Sequence, residues 1–134
     1  MKLILLSFVA SLLTMLIIDG AWLATMMKRF YAVRIGHLLS DSPQIFPVVV
    51  FYLVYALGLT MLVLLPAIEG NYSLMRLLLS GALFGLVAYG TYDLTNQATM
   101  KAWPLMVTIV DMIWGASLTG VVSVIAVYIT KYFS

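Results

Sequence analysis

The sequence predicts an all-α protein, a four-helix transmembrane bundle threaded up-down-up-down, and three observations carry that prediction. Hydrophobic residues make up 64% of the 134-residue chain and charged residues only 9%, against roughly 25% charged in ordinary soluble domains. Mean hydropathy is +1.12, so a water-soluble fold would leave far too much apolar surface exposed. The apolar residues fall into four stretches separated by short polar breaks, each near the ~20 residues that cross ~30 Å of hydrocarbon as a helix. Backbone groups in lipid must be satisfied within their own segment or a closed barrel, and the period-2 alternation of barrel strands is absent. A single integral membrane domain over residues 1–134 is expected.

The first span is read over residues 3–27, ending at Lys28-Arg29. Lys2 followed by an apolar run resembles a signal peptide, but the run exceeds an h-region and no small-x-small cleavage site follows, so a retained span is expected. The connection Lys28 to Gln44 has room for local structure: Arg29-Phe30-Tyr31 and Arg34 suit either a short amphipathic interfacial element or a solvated loop. The second span covers residues 45–65, with Pro47 tolerable in its first turn and Pro66 as its stop. After the polar turn Glu69-Gly70-Asn71 comes the third, residues 74–98. The fourth, 104–128, starts on Pro104, a favoured first-turn residue.

Composition excludes several functions. The net charge of +2 comes from seven Lys/Arg, nearly all at the ends of apolar stretches, which marks topology rather than nucleic-acid binding. Absence of cysteine removes disulfides, thiolate metal sites and thiol catalysis together. The one histidine, His37, falls in the first connection, so no bis-histidine haem and no metal centre is expected, and no cofactor. No nucleophile elbow or phosphate-cradling loop appears.

Three aspartates, Asp19, Asp93 and Asp111, lie within the spans. Carboxylates are costly in hydrocarbon, and those that occur face the bundle interior and mark sites. Alternating threading brings them to one side. Asp19 lies nine residues before Lys28, Asp93 eight before Lys101 and Asp111 seven after Pro104, which at the helical rise is roughly 13, 12 and 10 Å from a common end. Tyr52 and Tyr55 enter the same layer from the second span, roughly 10–15 Å in. On the third, Tyr89, Tyr92, Asp93 and Asn96 repeat at i, i+3, i+4 and i+7, one helical face.

Gly81 and Gly85 form a close-packing step just before that face, and Gly115 follows Asp111 by four residues. Asp-x-x-Trp occurs twice, as Asp19–Trp22 and Asp111–Trp114, too short to establish an internal duplication. Trp22 and Trp114 lie too deep for an interfacial belt and read as core packing or a ligand wall. Trp103, beside Lys101, reads as an interfacial anchor. Thr91 and Thr95 read as local backbone hydrogen bonders.

Three acids in one low-dielectric layer with no Lys or Arg at that depth cannot all be ionised without a cation. A proton, a metal ion or an organic amine must share the layer, and any titration would be coupled. The competing reading of the polar face is a hydrogen-bond network that only holds the bundle together.

Asp19-Gly20-Ala21-Trp22-Leu23, Phe51-Tyr52-x-x-Tyr55, Pro66-Ala67, Gly81 to Gly85, Tyr89-Gly90-Thr91-Tyr92-Asp93-Leu94-Thr95-Asn96, Trp103-Pro104 and Asp111-x-x-Trp114-Gly115 resemble a family of small bacterial four-span membrane proteins catalogued only as a domain of unknown function. The resemblance covers nearly the whole chain and implies a multi-pass protein of the bacterial inner membrane, with no activity, cofactor or catalytic residue attached. Positive residues divide four to three between the two sides, with the cluster after the first span favouring a cytoplasmic first loop and periplasmic termini. So even a count also permits dual insertion.

The function expected from these residues is binding or proton-linked transport of a small cationic or amphipathic molecule, with the acids as counter-ions and the aromatic rings adding cation–π attraction. One four-helix bundle is narrow for a pathway, so transport calls for a homodimer. The alternatives are a structural or assembly subunit whose acids meet a partner's basic residues, and a membrane-embedded lipid-modifying enzyme using a protonated aspartate as general acid. The partners expected are the lipid bilayer, a second copy of the chain and a small-molecule ligand, and nucleic acid is excluded.

Overall fold

The computed structural model describes residues 1–134 and contains helices and turns without a strand. Four helices are long and apolar enough to cross a membrane: α1 (Lys2–Leu38), α2 (Ile45–Glu69), α3 (Leu74–Thr99) and α4 (Leu105–Phe133). α1 meets α2 and α4, and α3 meets α4, with residue numbers rising on one helix as they fall on the other. Ser11 reaches Thr60 and Asp19 reaches Tyr52, while Trp114 reaches Asp19 and Tyr31 reaches Asp111.

Three helices run well past the ends expected from the sequence, α4 reaching Phe133 rather than residue 128. α1 does not stop at Met27: it passes through one wide turn, Met27–Tyr31, in which the Ala32 N–H bonds to the Met27 carbonyl five residues back, and continues to Leu38. The solvated-loop reading of residues 28–44 therefore fails over most of its length. Phe30, Tyr31 and Ile35 are buried, and their packing is what extends the helix. His37 sits in the closing tight turn of this helix rather than in a loop.

In α2, Pro66 does not act as a stop. A second wide turn, Thr60–Leu64, closed by the Leu65 N–H on the Thr60 carbonyl, precedes it, and the helix continues to Glu69. Proline lacks a donor and crowds the carbonyl one turn back, and a turn with i→i+5 bonding absorbs both defects.

The remaining helix ends follow ordinary capping. Ser73 accepts the Arg76 N–H at 3.2 Å and starts α3. The turn before it places Asn71 at φ 47°, a conformation asparagine tolerates better than most residues. Pro104 stands one residue before α4, as its N-cap, rather than inside its first turn.

The tightest seam lies between α3 and α4, and small residues make it. A Cβ placed on Gly85 would fall on the Gly115 carbonyl, one on Gly81 on Ser123 and the Thr119 carbonyl, and one on Gly115 on the Tyr89 ring. Such close backbone approach is how transmembrane helices gain dispersion contact in a solvent as apolar as themselves. Leu59, Leu64, Leu118, Val122 and Ala126 fill the core beside that seam. Thr91, Thr95 and Thr99 each return their hydroxyl to a carbonyl four residues back, as expected for threonines on a lipid-facing helix surface.

The seam makes a direct prediction. Gly85→Ala must part α3 from α4 and should lower stability by about 1–3 kcal/mol, the usual cost of overpacking, despite alanine's better helix propensity. Gly20 has nothing near its would-be Cβ, so Gly20→Ala should leave stability unchanged or raise it by up to about 1 kcal/mol, the helix-propensity gain. Thermal unfolding in detergent, followed by circular dichroism, compares the two.

Candidate functional site

The wide turn in α1 builds the site. Tyr31 follows Asp19 by twelve residues, which on an unbroken α-helix would place it about 120° round the axis. One extra residue taken up in the turn reduces that to about 20°, and Tyr31 comes onto the same face as Asp19. Its hydroxyl donates to Asp111 Oδ1 on α4 and accepts the Trp22 indole N–H at 3.2 Å.

Asp19 is served by two other helices. Tyr52 of α2 donates its hydroxyl to Oδ2 at 2.5 Å, and the Trp114 indole of α4 donates to Oδ1 at 3.0 Å. The two indoles stack with ring centroids 4.1 Å apart and planes 9° from parallel. Each tryptophan N–H therefore serves the acid of the opposite helix, Trp114 directly and Trp22 through Tyr31. The two Asp-x-x-Trp occurrences act as a mutual brace between α1 and α4, a geometry that needs no internal duplication.

Asp93 differs from both. It is wholly buried, neither carboxylate oxygen meets a hydrogen-bond donor, and the ionisable group facing it is the Asp111 carboxyl. Nearby, the Thr108 hydroxyl accepts from the Trp103 indole at 3.0 Å and is 2.9 Å from Gln97 Oε1, while Gln97 Nε2 donates to the Trp103 carbonyl. This clasp locks the end of α3 to the start of α4 and holds the Asp93–Asp111 face closed behind. It also corrects the reading of Trp103, which is only 6% exposed and is a buried donor rather than an anchor at the headgroups.

Around these groups lies a chamber of about 210 Å³. Asp19 and Asp111 stand on its wall with Trp22, Trp114, Tyr31 and Tyr89, and Ile35 and Leu39 from the end of α1 border it. Of the three acids, then, two share a cavity and Asp93 lies behind Asp111 without reaching it. Tyr92 is 58% exposed, borders the chamber and meets Trp103 edge-on at 5.9 Å. Asn96, half-buried beside Tyr92, does not line the chamber, so the regular face from Tyr89 to Asn96 is split. Tyr55 points away from the acids to Thr119 at 2.6 Å.

Tyr31, Gln97, Trp103, Thr108 and Thr119 are the participants that sequence reasoning left out. Tyr31 was hidden by the change of helical phase. The others are neutral groups whose roles depend on a partner from another part of the chain.

No His, Cys, Asp and Glu come together in threes able to hold a metal ion. What the arrangement offers is a small apolar-walled chamber carrying two acids, each hydrogen-bonded to neutral donors, with a third acid behind that has none.

That third acid yields a prediction. Removing an unpartnered polar group from an apolar interior relieves its desolvation penalty, so Asp93→Leu should raise the unfolding temperature in detergent. Tyr52→Phe should lower stability by about 1–3 kcal/mol, because the buried Asp19 carboxyl loses one of its two donors. Opposite signs in the same melting experiment are the expected result.

Neither the curated proteins nor the solved structures contain a match to this chain. The family described as "Predicted membrane protein (DUF2177)" matches residues 4–128. With nearly its whole length inside that match and four helices able to span a bilayer, the chain belongs to this family of predicted membrane proteins.

Proposed function

We propose that the chamber binds a small cation in exchange for a proton, as the binding step of a proton-linked carrier in the bacterial inner membrane. The observation that carries this reading is the pairing of Asp19 and Asp111 on one chamber wall with no cationic side chain among its lining residues. Asp93 and Asp111 stand face to face in the interior, and two buried carboxylates at close range cannot both stay charged. In this reading one acid of the pair carries a proton while the chamber is empty. A cation entering the chamber supplies the missing positive charge and releases that proton.

Tyr31 couples the two halves of the site, since its hydroxyl donates to Asp111 while accepting from the indole that stacks on Trp114. The aromatic walls add attraction for an organic cation, which is stronger where water is excluded. At about 210 Å³ the chamber has the room of about seven waters at ~30 Å³ each. That size suits a small quaternary or primary ammonium group. The positive cluster Lys28, Arg29 and Arg34 at the end of α1 supports a cytoplasmic placement of that end, with the termini periplasmic.

Tetramethylammonium is the probe. In weakly buffered detergent solution, its addition should quench tryptophan fluorescence and acidify the medium, and binding should weaken as pH falls because protons compete. Asp19→Asn should weaken binding by about tenfold or more, equivalent to about 1.4 kcal/mol. Asp111→Asn should abolish the proton release. Binding without proton release, or release unchanged in Asp111→Asn, overturns the reading.

A further inference from the structure

The acid chamber is not a closed room. A second cavity of about 630 Å³ shares Asp19, Leu23, Tyr89 and Tyr92 with it. That cavity in turn shares Pro47, Phe51, Tyr55 and Ala88 with an apolar groove of about 680 Å³ running along the outside of the bundle between α2 and α3. The three spaces thus adjoin one another from the surface of the bundle to Asp19, and the outermost opens on the flank, where the surrounding surface is apolar.

The groove exists because α2 and α3 do not pack along their length. They meet chiefly around the wide turn Thr60–Leu64, with Phe84 edge-on against Tyr55 at 5.3 Å. Above that contact α2 leans on α1, through Tyr52 on Asp19, and its apolar side chains stay uncovered: Phe46 is 78% exposed and Val54 62%. From Tyr52, beside the acid, to Leu62 at the far end is ten residues, or roughly 15 Å of helix. One end of this slot is thus acidic and the rest is hydrocarbon-like.

We propose that the site is reached sideways from the bilayer between α2 and α3, and that its ligand is a single-chain cationic amphiphile. The headgroup sits at Asp19 and the chain lies in the groove. This rests on the cation-binding reading above and names the class of molecule that the site takes. Charge complementarity selects the occupant: Asp19 is the acidic side chain at the inner end of the groove, and no basic side chain borders the route. A phosphate or sulfate headgroup would meet a carboxylate with no counter-charge. An ammonium meets its partner, with Tyr52 and Tyr89 beside it.

The test uses the full chain in phosphatidylcholine nanodiscs, with tetramethylammonium and dodecyltrimethylammonium as probes and dodecyl sulfate as the control of opposite charge. Tryptophan fluorescence and proton release are the readouts. Ala88→Phe narrows the junction between groove and inner cavity, and Val54→Trp covers the groove at an exposed position that does not depend on core packing. Partitioning of the probes into lipid is the same for every variant, so the ratio to the unchanged chain isolates the groove.

Dodecyltrimethylammonium should lose about tenfold in affinity in each variant that keeps its helical melting profile, while tetramethylammonium binding is unaltered. Unchanged dodecyltrimethylammonium affinity in Val54→Trp overturns the proposal, as does equal binding of dodecyl sulfate. If tetramethylammonium fails to bind but dodecyltrimethylammonium binds with dependence on Asp19 and the groove, the small-cation reading falls and the lateral route stands. If neither cation binds, both fall.

Discussion

A carboxyl group inside a membrane protein must find its hydrogen bonds within the protein, and this constraint organises the bundle. Asp19 is satisfied by Tyr52 and Trp114, and Asp111 by Tyr31. None of these donors carries charge, so each acid is held in place without being neutralised. Because the donors come from other helices or from a distant turn of α1, satisfying the acids also fixes how α1, α2 and α4 are rotated. The stacked indoles follow from the same requirement. Trp114 must face α1 to reach Asp19, Trp22 must face Tyr31, and the rings then lie flat on each other. Asp93 is the group this arrangement leaves without a donor.

Two wide turns adjust what the α-helical period would otherwise dictate. Such turns are uncommon and recur at functional sites. In α1 the turn at Met27–Tyr31 carries Tyr31 round to the acid face. In α2 the turn at Thr60–Leu64 lets the helix pass Pro66 and provides the main contact with α3. The consequence is a bundle with two unlike flanks. Between α3 and α4, glycines bring the backbones together along a long seam. Between α2 and α3, the helices part and leave a slot. The acid chamber lies where the closed flank gives way to the open one, so a ligand route and a fixed set of acids coexist within four helices.

Much of the fold was legible in the sequence, and for a clear reason. Hydrophobic runs of membrane-spanning length have one physical solution in lipid, so the number and rough limits of the helices could be read directly. The close-packing glycines were legible too, since Gly81, Gly85 and Gly115 stand at the spacing that lets backbones touch. The helix ends were less so. Pro66 and the Lys28-Arg29 pair look like stops, yet packing of Tyr31 and Ile35, and of Val63, Leu64 and Ala67, carries both helices beyond them.

The sequence by itself determined the class and the membrane environment, and set the expectation of a common depth for three acids, because these depend only on hydropathy and on the fixed rise of a helix. Tertiary structure alone decided which acids share a chamber. Asp19 and Asp111 do and Asp93 does not, although helical rise along the sequence gives all three a similar expected depth. Depth is set along the helix axis, where 1.5 Å per residue leaves little freedom. Facing is set by rotation about that axis, and for Tyr31 a single extra residue in one turn of α1 was enough to change it.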